Sequence, residues 1–293
     1  MQKSTLFKGY LYAILSAVIY GCMPLMAKHI YAGGVNSISL VFFRNLFAIP
    51  LVALLAFRQN KSFAIPKKAI PQIVVIAIIG CCVTPVLLLS SYNYMASSVA
   101  TVFHFIYPAV VVLIGILFMK QKVNLKTILC VLLCVCGLCL FYTPGEPLSL
   151  KGSALAIISG ITCAIYICLL SVFKYKDMPI FLFTFYVIVI SSIVLFFFCI
   201  ITNSLTIPKN LLSWLLCILF ANLITAGAVV LLQAGTFIIG GERASILSTL
   251  EPITSIILGL LFLGESITIV TAFGALLVIL ASILIAVFDA KKS

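Results

Sequence analysis

The chain has 293 residues, 64% of them apolar and only 8% charged, with a mean hydropathy of +1.34 and a net charge of +12. Soluble domains carry about a quarter charged residues, so a water-soluble coat is excluded and the bilayer is the solvent. The basic residues are spread over short loops rather than gathered on one face, which excludes a nucleic-acid surface.

A transmembrane helix needs roughly 20 apolar residues at 1.5 Å rise each, and such runs follow one another almost without pause. Helices are predicted over residues 9–27, 38–57, 70–92, 97–119 and 124–142 in the first half, and over 151–172, 180–202, 211–234, 244–263 and 268–288 in the second. The breaks carry turn chemistry: Gly33-Gly34, the stretch from Pro66 to Pro71, the run from Thr143 to Pro147, Met178-Pro179, Ile207-Pro208-Lys209 and Gly240-Gly241. The expectation is an all-α integral membrane protein of ten transmembrane helices. The first run, behind Lys3 and Lys8, is as long as a true span and has no clear small-residue cleavage site, so it is read as a helix that stays.

Ten spans place both termini on one side. Of the eighteen Lys and Arg residues, fourteen then fall on that side, Lys28, Lys151 and Lys209 fall on the other, and Arg44 lies inside a span. By the positive-inside rule the termini are cytoplasmic, in a multi-pass protein of the cell membrane. The eleven cysteines sit in apolar runs, and Cys136-x-x-Cys139 lies in mid-span. They read as small hydrophobes, with neither a metal site nor a disulfide framework implied.

The sequence repeats. At a shift of 144, Ala100 aligns with Ala244, Pro108 with Pro252, Gly115 with Gly259 and Thr127 with Thr271, and at 143 Gly9 aligns with Gly152 and Ser16 with Ser159. Glycines and prolines holding register over consecutive spans point to a duplication, with units at 1–143 and 150–288. Each unit has five helices, an odd number, so the two are expected to be inverted repeats, an arrangement suited to alternating access around a central site.

The run from Ala244 through Leu250-Glu251-Pro252 to Gly264-Glu265 resembles the ninth-helix signature of the drug/metabolite transporter (DMT) superfamily, EamA type. Tyr20-Gly21, Arg44 and Ile106-Tyr107-Pro108 are also similar, and the likeness covers nearly the whole chain. It implies a transporter of ten helices in two five-helix repeats, of a family that exports amino acids, other metabolites and drugs. The chain departs from the pattern at the end of the fourth span, where Lys120-Gln121 stand in place of Gly-Glu.

Charges inside a bilayer cost roughly 2.5 to 3.5 kcal/mol each on insertion scales and must face protein, water or a partner. Arg44 and Glu251 are two such residues, both expected within a turn or two of the midplane. Glu251 reads either as an anchor for a substrate ammonium or a proton-binding group, or as a buried partner that fixes Arg44. Arg44 reads as a clamp for a substrate carboxylate or as that structural pair. Further candidates for substrate binding or coupling are His104 and Tyr107, three apart on one helix face, their repeat partners Ser248 and Glu251, and Tyr20 and Tyr166 in the repeat-related first and sixth spans. Asn222 and Gln233, eleven apart and so on one helical stripe, are the last two, although single amides in membrane helices often serve as interhelical glue.

The chain has no phosphate-cradling Gly-rich loop followed by Lys-Ser or Lys-Thr, and no cofactor is expected. The leading expectation is a secondary active transporter, a carrier exporting a small, zwitterionic metabolite or a drug-like compound, with proton coupling as one energy source. A flippase-like carrier of lipid-linked molecules is the alternative. An intramembrane enzyme using Glu251, His104 and Arg44 would leave the repeat unexplained, and a channel would need a ring of like charges or a carbonyl-rich filter that is absent from the sequence.

Overall fold

The computed structural model describes residues 2–60, 62–95, 97–118, 125–140 and 149–263, with parts of 269–284. Among the described residues all regular structure is helical. The helix α1 (Gln2–Tyr20) turns at Gly21-Cys22 into α2 (Met23–Ala32), and α3 (Ser37–Leu46) turns at Phe47-Ala48 into α4 (Ile49–Gln59). Next come α5 (Ile70–Ile76), a π-helical stretch over Ala77–Val83, and α6 (Thr84–Ser91), which run as one rod. α7 (Ser97–His104), α8 (Tyr107–Leu117) and α9 (Leu125–Cys139) follow.

The second half holds α10 (Leu150–Val172), α11 (Ile180–Ile201), α12 (Leu211–Phe220), a second π-helical stretch over Ala221–Val229, α13 (Val230–Ile239), α14 (Gly241–Leu247) and α15 (Leu250–Leu263). Among the described residues, six stretches are long and apolar enough to cross a membrane: Ser4–Ala32, Ser37–Gln59, Lys67–Ser91, Leu150–Val172, Ile180–Ile201 and Leu211–Ile239. They fall on the expected first, second, third, sixth, seventh and eighth spans. The expected fourth and ninth spans are each broken in two, at Phe105-Ile106 and at Ser248-Thr249. Most of the expected tenth span, Gly264-Glu265, Lys120-Gln121 and the Thr143 to Pro147 turn lie outside the described residues.

Proline sets several of the breaks. Pro24, Pro50 and Pro108 stand at the start of α2, α4 and α8, where a missing N–H costs nothing because the first turn has no intrahelical acceptor for it. Glycine sets others: Gly34 and Gly240 adopt φ of +87° and +82°, open to a residue without Cβ, at two of the expected turns. The π stretches begin at Ala77 and Ala221, 144 residues apart, which is the shift that aligns the two halves of the sequence. Their wide turns leave carbonyls without helical donors. Asn45 Nδ2 donates to the Cys81 carbonyl at 3.1 Å, Thr84 Oγ1 to Ile79 at 2.8 Å and Ser191 Oγ to Ala77 at 3.2 Å. In the second stretch Ser16 Oγ donates to Ala228 at 2.8 Å.

The halves interlock rather than sit side by side. α1 packs along α13, where Gly235 comes so close that an added Cβ would lie 3.2 Å from the Gly9 carbonyl and from the Ala13 nitrogen. Small residues of this kind let membrane helices approach closely enough for dispersion to hold them together. α10 packs against α6, α7 and α8, while α11 packs against α3 and α4. Side chains such as Phe197 and Leu215 stand more than half exposed on the outside of this bundle, as suits a surface wetted by hydrocarbon.

Candidate functional site

The two helix breaks bring backbone and polar side chains together at one level of the bundle. In the break between α7 and α8, the His104 carbonyl rests on Gly160 of α10, where a Cβ would come within 2.5 Å of it. In the first turn of α15, just past the second break, the Glu251 carbonyl and the Thr254 side chain rest on Gly21, where a Cβ would come within 2.9 Å of the carbonyl. Each broken helix is thus seated on a glycine of the other half. Both breaks lie beside a cavity with about 560 Å³ of atom-free space, the open solvent at its mouth included.

Seven of the nine sequence candidates line this cavity: Tyr20, Arg44, His104, Tyr107, Tyr166, Ser248 and Glu251. Met23, Gly80, Thr84, Pro85, Leu88, Cys163 and Leu232 complete the wall. Arg44, in the last turn of α3, is 3% exposed and its Nε has no hydrogen-bond partner. Glu251 is 8% exposed and lies in the first turn of α15, where the helix dipole favours a negative charge. Among the described residues no ion pair joins the two. The structural pairing of Arg44 with Glu251 is therefore not formed, and Tyr20 stands within electrostatic reach of both.

His104 is held from behind, its Nδ1 2.7 Å from Ser159 Oγ on α10. Ser159 Oγ also lies 2.7 Å from the Ala156 carbonyl, which can only accept. Both contacts are satisfied at once when Ser159 donates to the carbonyl and His104 Nδ1–H donates to Ser159, leaving Nε2 as an acceptor. The His104 and Tyr107 rings tilt against each other with centroids 5.4 Å apart. Tyr166 lies on Gly80, where an added Cβ would collide with its ring.

Gln233 is fully buried one layer behind the cavity, its Nε2 3.1 Å from the Tyr166 hydroxyl. Asn222 is not brought to the site. Its Nδ2 bonds back to the Ile218 carbonyl of its own helix at 2.8 Å. The expected stripe joining Asn222 and Gln233 assumed an unbroken α-helix, and the intervening π stretch, with i to i+5 bonding, rotates one amide away from the other. Asn45, Ser159 and Thr184 were not singled out from the sequence. They are ordinary polar residues in apolar runs, and only their contacts distinguish them.

Among the described residues no group of three His, Cys, Asp or Glu side chains could hold a metal ion. Nor does the cavity present a nucleophile oriented by a base and an acid. What it offers is a guanidinium and a carboxyl group with no bond between them, an imidazole and three tyrosines, groups suited to holding a polar molecule.

The EamA-like transporter family matches the chain twice, over residues 7–143 and 150–287. The uncharacterized inner membrane transporter YicL of Salmonella typhimurium is 26% identical over 97% of both chains. An uncharacterized transporter of Archaeoglobus fulgidus is 27% identical over 93% of this chain and 94% of its own length. A crystal structure of a protein 13% identical in sequence superposes with a TM-score of 0.74 over 97% of this chain and 98% of the other, a likeness of fold alone. The chain therefore belongs to the EamA-like transporter family, as a multi-pass membrane protein whose activity is transport and not catalysis.

Proposed function

We propose that the chain is a secondary carrier that moves a small zwitterionic metabolite, such as an amino acid, across the cell membrane by alternating access. The observation that carries this reading is the cavity holding Arg44 and Glu251 without a bond between them. A buried charge left unpaired costs several kcal/mol, so two such charges facing one cavity are an arrangement completed by a ligand bearing both signs. The guanidinium takes the carboxylate and Glu251 takes the ammonium. When the site is empty, a proton on Glu251 removes its charge, which gives proton coupling its physical basis.

Inverted five-helix repeats are the second part of the reading. Their support is the recurrence of distinctive features at the two shifts that align the sequence halves: π stretches starting 144 residues apart, at Ala77 and Ala221, and breaks 143 residues apart, at Phe105-Ile106 and Ser248-Thr249. The packing of α1 on α13 likewise has its counterpart in α10 on α6. The excess of basic residues in one set of loops supports cytoplasmic termini, and export is the direction that the family resemblance implies.

Uptake of pooled radiolabelled amino acids into proteoliposomes, with and without an imposed pH gradient, tests the reading on the wild type and on Glu251→Gln. Saturable, gradient-driven uptake showing counterflow in the wild type, with the gradient response lost in Glu251→Gln, is the expected result. Folded protein giving no uptake would overturn the zwitterion reading, and uptake indifferent to the gradient in both forms would remove Glu251 from coupling.

A further inference from the structure

Behind the cavity wall lies a string of polar groups. Thr184 on α11 and Gln233 on α13 are fully buried, and neither lines the cavity. Thr184 Oγ1 is 2.5 Å from Gln233 Oε1, and Gln233 Nε2 is 3.1 Å from the hydroxyl of Tyr166 on α10. Hydroxyl-to-oxygen bonds run about 2.5–3.0 Å and amide N–H···O bonds about 2.7–3.2 Å, so the two lengths decide which end of the amide meets which partner. Thr184 gives its proton to the amide oxygen, the shorter of its two contacts, in preference to the Ile180 carbonyl at 3.0 Å. The amide N–H then donates to Tyr166. A phenol oxygen that accepts from behind still has its own O–H to give to another group.

The position of Tyr166 decides what that group is. Its ring lies on Gly80, and it lines the same cavity as Arg44. A guanidinium and a phenol O–H lining one cavity are all donors, a set that selects the oxygens of an anion.

We propose that Thr184 and Gln233 are positioning residues that hold the Tyr166 hydroxyl as a hydrogen-bond donor to the substrate carboxylate, in the cavity that Arg44 also lines. The proposal rests on the zwitterion reading and adds the group that tells an acid from the corresponding amine. It is tested in proteoliposomes with pooled radiolabelled amino acids, competed by the decarboxylated amines of the same side chains. Tyr166→Phe and Thr184→Val are each expected to raise KM for amino acids about tenfold, with maximal rate kept and inhibition by the amines unchanged. Thr184→Ser, which keeps the donor, restores the wild-type KM. Combining Tyr166→Phe with Thr184→Val does no more harm than Tyr166→Phe alone, because both remove one interaction.

Equal weakening of acids and amines, or additive losses in the double variant, would reduce the string to packing and overturn the proposal. A loss confined to the amines would mean that Tyr166 accepts rather than donates, and overturns it equally. Should Thr184→Val fail to fold, Tyr166→Phe, which deletes a single oxygen, decides the matter by the same competition. Wild-type uptake of amino acids that Tyr166→Phe leaves untouched sinks this proposal alone, whereas folded wild type that takes up none sinks the zwitterion reading and this with it.

Discussion

Gly80 shows how closely one residue can govern this site. It faces the Tyr166 ring so directly that any Cβ would overlap it, and the Tyr166 hydroxyl accepts from Gln233. Gly80→Ala is expected to cost about 1–3 kcal/mol through overpacking and to displace Tyr166 from the cavity. Thermal unfolding in detergent and the KM for uptake would both register it. Gly227 in the second π stretch provides the contrast, since its nearest neighbours to an added Cβ are 3.7 Å away. Gly227→Ala is expected to unfold and transport like the wild type, and a loss equal to that of Gly80→Ala would show that the cost comes from replacing a glycine of the π stretch rather than from contact with Tyr166. The polar residues lining the cavity were largely legible in the sequence because Arg44, His104 and Glu251 interrupt apolar runs and must face something polar. Ser159 and Thr184 carry no such signal, because a hydroxyl can satisfy itself on its own helix, as Ser159 does on the Ala156 carbonyl.

At the scale of the element, the π stretches explain both a success and a failure of sequence reading. Hydropathy marks the third and eighth spans well, since wide turns change neither length nor composition. The angular position of each side chain is another matter: counting at an α-helical period placed Asn222 on the face of Gln233, and the wide turns between them cancel that alignment. The same turns create a need for outside donors, which Asn45 fills by bridging Val41 and Cys81 at 3.1 Å each. Asn45→Leu leaves the Cys81 carbonyl without this donor in an apolar interior, and about 1–3 kcal/mol of stability is expected to go with it. Asn45→Asp, which keeps the shape but loses the N–H groups, should be as damaging in thermal unfolding. If it were as stable as the wild type, the bond to Cys81 would contribute nothing.

At the scale of the whole molecule, the two halves are tied together at both ends of one pair of rods. At the start of α3, the Asn36 N–H donates to Thr206 Oγ1 at 2.8 Å, the Thr206 N–H donates to Ser39 Oγ at 2.8 Å, and the Lys209 N–H donates to the Gly33 carbonyl at 3.2 Å. At the far end of α4, the Tyr186 hydroxyl donates to the Phe63 carbonyl at 2.6 Å, and Phe63 packs edge-on against Phe185. Between these ties α11 lies along both α3 and α4. A pair of helices bonded at both ends and packed between is poorly suited to opening at either, whereas the broken helices carrying His104 and Glu251 have joints that can bend. On the alternating-access proposal, the motion is expected at the broken helices, with α3, α4 and α11 as the frame they move against. Cysteines placed at Asn36 and Thr206 in a background without the native cysteines, joined by a short thiol crosslinker, are expected to leave counterflow within about twofold of the unlinked protein, the loss that a change below about 0.5 kcal/mol would give. Arrest of counterflow by the crosslink, reversed when it is cleaved, would instead place this tie among the parts that move and assign the fixed frame to the broken helices.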